Sequence, residues 1–169
     1  MNQSALLLSD FNAEMSTTRR VLERIPDDRL GWQPHEKSMS LSRLGSHLAE
    51  LPVWGSRVLD ADRFDMAARI RDYKPLMLGS RAEILELFDT NVAQSRGKLE
   101  AADDATLAAD WSLTRGDEAF RTMPRIAALR SMMIHHIIHH RGQLSVYLRL
   151  LDVPVPSIYG SSADEKLFG

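Results

Sequence analysis

The chain has no cysteine. That excludes disulfides, zinc–thiolate sites and any reaction run by a protein thiolate, so a thiol that takes part in chemistry here must arrive on a small molecule. Long apolar runs are missing too. Nothing approaches the roughly 20 consecutive apolar residues of a membrane-spanning helix, and no membrane association is expected. Nor does charge of one sign prevail: 21 Lys and Arg stand against 23 Asp and Glu, for a net charge of −2. The arginines are interleaved with acids rather than gathered in a patch, so nucleic acid is not expected as a partner. The opening "MNQSALLLSDFNAEM" has no basic stretch, and its apolar run from Ala5 to Leu8 is too short for a secretory signal, so a cytoplasmic location is expected. G-x-S-x-G, P-loop and G-x-G-x-x-G patterns are absent as well.

What is present is a helical pattern over 169 residues, expected to form a single domain, 1–169. Leu6, Leu7, Phe11, Met15, Leu22 and Ile25 recur at helical spacing until Pro26 ends the run. After the link "PDDRLGWQPHEKS", Ser40 is placed to cap a second helix that reaches about Leu59, with a kink at Pro52. "DYKPLMLG" breaks the chain. Ser80 and Glu83 then form a capping-box pattern that opens a third helix to about Ala101. "DWSLTRGDEAFRTMPR" reads as a polar connection or short hairpin with a turn at Gly116-Asp117. Pro124 suits the first turn of a fourth helix, to about Leu151. An extended, turn-rich tail follows. The fold class expected is all-α, a four-helix bundle with extended connections.

Four of the six histidines fall in "HHIIHH", residues 135–140. At about 100° per residue, with His136 as zero, His140 lies at about 40°, among Leu129, Met132, Met133, Leu144 and Tyr147. His135 and His139 flank that stripe, and His35 in the proline-containing link is expected to be exposed. In the second helix His47 shares a face with Leu44, Leu51, Trp54 and Val58. Three imidazoles from two helices thus aim at one core. A lone inward histidine is more often a hydrogen-bonded core residue than a ligand, and an H-x-x-x-H pair alone decides little. The agreement of two stripes favours a divalent cation on His47, His136 and His140, with one coordination position open. Ile137 stands where a zincin would need Glu, so peptide hydrolysis by that route is not expected. Gln143 lies beside the ligand face and either orients a ligand or satisfies backbone. Gly142 suggests close approach of another helix, and Arg141, at about 140°, is expected at the surface or an interface. Trp32, Trp54 and Trp111 read as core or pocket wall.

The stretches "LGWQPHEKSMSL", "LGSHLAELPVW" and "HHIIHHRGQL", in that order over nearly the whole chain, resemble the DinB/YfiT-like family. The resemblance implies a dimeric four-helix bundle that holds a divalent metal on one histidine of the second helix and two of the last; imidazole ligands suit zinc first and nickel second. Matched position by position these are His47, His136 and His140. It also implies, for some members, metal-dependent transfer of a low-molecular-weight thiol such as bacillithiol or mycothiol to a small-molecule substrate. Two other readings stay open: a non-catalytic, stress-associated metal protein, and a metal-assisted hydrolase of small molecules.

Overall fold

The computed structural model describes residues 2–71 and 73–166; Asp72, at the head of the "DYKPLMLG" break, and the last three residues of the tail lie outside them. Helix α1 (Gln3–Leu22) starts at Asn2, whose side chain accepts from the Ala5 N–H, and buries Leu7, Phe11, Met15, Thr18 and Leu22 along one face. Ser40 caps α2 (Leu41–Glu50) through the Arg43 N–H, as the sequence predicts. The preceding link closes the same helix end, because the N–H groups of Leu41 and Ser42 donate to the carbonyls of Trp32 and Leu30, 2.8 Å each. At Pro52 the helix tightens into a 3-10 turn, Leu51–Val53, and continues as α3 (Trp54–Asp60).

Strand β1 (Arg63–Asp65) and the short α4 (Met66–Arg71) follow. The segment after them, 73–78, is tied down on α2: Ser42 Oγ donates to the Leu78 carbonyl (2.7 Å), the Leu78 N–H donates to Ser46 Oγ (2.9 Å), and Arg43 donates to the Leu76 carbonyl (3.2 Å). Helix α5 (Arg81–Ala101) opens on Ser80 Oγ, which accepts from the Glu83 N–H, while the Glu83 carboxylate turns back to the Gly79 N–H. After α6 (Asp104–Ala108), β2 (Asp110–Arg115) and β3 (Glu118–Pro124) form a hairpin whose turn puts Gly116 at φ +61°, a conformation glycine adopts without cost. Pro124 closes β3 and caps α7 (Arg125–Leu129), one position earlier than expected. A π turn, Arg130–Ile134, joins α7 to α8 (His135–Leu150).

The chain is mostly helical, but the all-α expectation is corrected: β1 pairs in parallel with β2, and β2 antiparallel with β3, in one three-stranded sheet. Local pattern hid it because β1 is three residues long and exists only through its non-local partner. The sheet turns Trp111, Leu113 and Met123 onto the core. Among the helices, α1 packs against α5 and α8, and α2 packs against the same two. At the α3–α5 crossing a Cβ on Gly55 would sit 2.6 Å from Ser95, so glycine is what allows that approach.

Two further expectations fail on α8. Nothing lies within 4 Å of a Cβ built on Gly142, which is exposed rather than pressed against a neighbour. Arg141, expected at the surface or an interface, is instead inside the protomer, 1% exposed and paired with Glu14 of α1 at 2.7 Å. It also donates to Thr18 Oγ1 (3.2 Å) and to the Tyr159 hydroxyl (2.6 Å), so one guanidinium joins α1, α8 and the tail. The π turn explains the error. It inserts about one extra residue, and so turns everything before it by about 100° relative to a regular helix. The stripe built on Leu129, Met132 and Met133 therefore pointed too far from Arg141. In α8 the buried line is Ile137, His140, Arg141, Leu144, Tyr147 and Leu148.

Arg141→Met should destabilise the protein by about 3 kcal/mol, because the mostly buried Glu14 carboxylate loses the guanidinium it pairs with. The double change Arg141→Met with Glu14→Leu should recover most of that loss, as measured by urea unfolding.

Candidate metal centre

The two helices that carry the histidines touch, and their register brings three rings together. His47 lies at the edge of the α2 stripe and His136 at the edge of the α8 stripe, both partly exposed, whereas His140 is buried. His47 Nε2 is 3.4 Å from His136 Nε2, which is 3.0 Å from His140 Nε2. One nitrogen from each residue falls in a group no more than 4.8 Å across. His135 and His139 are exposed, as expected of the flanking pair, and so is His35.

The other ring nitrogens decide what these Nε2 atoms carry. His140 Nδ1 lies 2.7 Å from Gln143 Oε1, an acceptor, so Nδ1 holds the proton and Nε2 a lone pair. His136 Nε2 stands 3.0 Å from that nitrogen, at hydrogen-bonding distance, and its own tautomer decides whether it donates. Burial pushes the His140 pKa down to about 4 against the opposing pull of Gln143, and burial with the nearby His47 lowers that of His136 as well. Neutral imidazoles are what a metal ion requires, and a tetrahedral ion with bonds of about 2.1 Å holds its ligands about 3.4 Å apart. The donor set therefore fits a metal.

His47 is supported by residues that its own helix supplies at i−4 and i+3. Arg43 donates to Glu50 at 3.0 Å, and the Glu50 carboxylate stands 3.9 Å from His47 Nδ1. Burial pushes the Glu50 pKa up, but hydrogen bonds from His47 and Arg43 outweigh it and hold the carboxyl below its ordinary range. Arg43 also reaches the Tyr73 hydroxyl, which ties the segment after α4 to the same cluster. The 3.6-residue repeat placed Arg43 and Glu50 on the His47 face, a signal the sequence reading left unused; Tyr73 had none, being distant along the chain.

Beside the rings lies a cavity of about 470 Å³, onto which His47 and His136 open. Its walls are mainly apolar, with Leu51, Trp54, Met66, Leu76 and Leu87 among them. Trp54 is thus pocket wall, Trp111 is fully buried, and Trp32 packs edge-on against Tyr147 at 5.5 Å.

A mostly helical chain with a small sheet and a three-histidine group that could hold a metal ion defines the class of protein. The chain belongs to the DinB family, whose model matches residues 1–166. It is 25% identical over 150 residues to the uncharacterised protein YjoA of Bacillus subtilis (strain 168), across 88% of this chain and 91% of that one. The crystal structure of the DinB-like YjoA superposes with a TM-score of 0.70 at 20% identity, covering 96% of this chain and 99% of that one. A DinB-like protein from Bacillus cereus ATCC 10987 gives 0.70 at 24% identity, over 90% of this chain and 95% of the other. At those identities the structures establish the fold. None of the described helices is long and apolar enough to cross a membrane.

The depressed His140 pKa sets a pH dependence for the metal-free protein. His140 is neutral when folded down to about pH 4, whereas the unfolded chain takes up a proton near pH 6.5. Between those values the unfolded state binds more protons, so stability should be full above pH 6.5 and fall as the pH drops toward 4. His140→Gln should flatten that part of a urea-midpoint profile against pH.

Proposed function

We propose that this DinB-family protein holds a divalent cation on His47, His136 and His140, within a four-helix-bundle arrangement of α1, α2–α3, α5 and α7–α8. The protein is read as a transferase that delivers a low-molecular-weight thiol to a small electrophilic substrate. Zinc is the first candidate for the ion and nickel the second, since imidazole suits both. The observation that carries the reading is the convergence of three imidazole nitrogens within 4.8 Å at the edge of an apolar cavity. Lack of cysteine is consistent with it, because the sulfur must then come from the substrate side. A homodimer is the assembly the family resemblance supports, in the cytoplasm that the opening residues lead one to expect.

When bound, the cation supplies Lewis-acid activation, lowering the pKa of a thiol or water brought to it. The chain supplies the rest. Gln143 fixes the tautomer of His140, and Glu50 with Arg43 orients His47. The apolar wall keeps water from a reactive nucleophile. No separate general base is evident in the arrangement, which suits a nucleophile that loses its proton on binding.

His136→Ala should abolish stoichiometric zinc or nickel binding and His135→Ala should spare it, read by elemental analysis after dialysis; equal losses would contradict the assignment. Gln143→Leu should weaken zinc affinity by about 10- to 100-fold. Metal-loaded protein incubated with low-molecular-weight thiols and a panel of electrophiles should form thioethers. Stoichiometric metal without thiol binding or turnover would favour a non-catalytic role, and hydrolysis without thiol a hydrolase.

A further inference from the structure

The histidine run of α8 holds two interleaved pairs, and the candidate centre takes only one. His136 and His140 join His47, while His135 and His139, each one position earlier in the chain, are exposed. Of the remaining imidazoles, His35 has its Nδ1 engaged as acceptor of the Lys37 N–H at 3.1 Å. His135 and His139 make no hydrogen bond with another described residue, and the His139 ring rests edge-on against that of His140, 4.8 Å away. Two imidazoles with open nitrogens thus stand four residues apart on the solvent side of one helix.

That interval suits a chelate. Residues four apart on a helix have Cβ atoms about 6 Å from each other on one face, and a helical side chain leans over the turn before its own Cα, which carries the His139 ring toward His135. The π turn ends at Ile134, so both residues lie within the regular part of α8. One turn past His139 stands Gly142, and nothing lies within 4 Å of a Cβ built there, which leaves room for an ion and its waters on that face. No lysine or arginine lies three or four positions from either ring, so the helix sets no fixed cation beside the pair. Once one imidazole holds an ion, the second meets it at an effective concentration on the order of millimolar or more.

We propose that His135 and His139 form a second, outer cation site: a two-imidazole chelate for a borderline divalent ion such as zinc, nickel or copper, with water in the remaining positions. With two protein ligands against three it is the weaker site, and its ion exchanges freely, so elemental analysis after dialysis reads the inner centre alone. The outer site requires neither the inner ion nor any reaction there. Its test is calorimetric titration of the metal-free full-length protein with zinc in a non-coordinating buffer. The parent should show one tight and one weaker equivalent, and His136→Ala should lose the tight one only. His135→Gln and His139→Gln should each keep the tight equivalent and weaken the other at least about tenfold. Combining His139→Gln with Gly142→His restores the number of exposed imidazoles but sets them about 10 Å apart along the axis, and should not restore binding. Magnesium, which prefers oxygen ligands, should not fill the outer site. A weaker equivalent that is missing from the parent, persists in both single variants, returns with Gly142→His or is filled by magnesium as well as by zinc would overturn the proposal. Failure of the inner assignment would instead remove the tight equivalent and leave the weaker one.

Discussion

Everything at the centre of this protein depends on three imidazoles from two helices meeting with one nitrogen each inside a group 4.8 Å across. An unsatisfied buried polar group costs on the order of 1–3 kcal/mol, so such a cluster needs partners. Gln143 accepts from His140 Nδ1, and burial lowers the proton affinity of His136 and His140. Neutral rings drawn together in this way make a group that could hold a cation, with His47 of the neighbouring helix adjoining.

The rest of the fold holds that geometry from outside. α2 and α8 meet because each packs against both α1 and α5, and the Arg141–Glu14 pair ties α8 to α1 one residue beyond His140. The π turn ends at Ile134, immediately before the histidine run, and the His135 N–H bonds to the Arg130 carbonyl across it. Such turns recur at functional sites because they re-aim a face without breaking the helix. On the other side, the small sheet presents Phe64 beneath Arg57 and against Trp54, whose rings are 5.0 Å apart. The element least visible in the sequence thus backs two residues of the pocket wall, Trp54 and Arg57.

Much of the fold was legible because it is local. Ser40, Pro52, Ser80 and the Gly116 turn act within a few residues of themselves, and each marks a boundary where the pattern put one. The three histidines were legible for a related reason: each shares a stripe with apolar neighbours, and two stripes that meet bring their contents together. Arg141 and Gly142 were misread because a regular helix was carried through the π turn. β1 and the segment 73–78 were missed because their partners lie on β2 and α2, far along the chain.

The amino-acid order by itself determined which side chains are available for chemistry. It removed thiolates, set an H-x-x-x-H pair on one helix and one histidine on another, and placed Gln143, Arg43 and Glu50 within a turn of the histidines they contact. Tertiary structure alone decided that His140 is inside while His47 and His136 open onto a cavity, and that Arg57 lines the same cavity. Helical periodicity specifies a direction around an axis, which residues a few positions apart share; distance between axes and the closure of a pocket are set by packing among segments the chain keeps far apart.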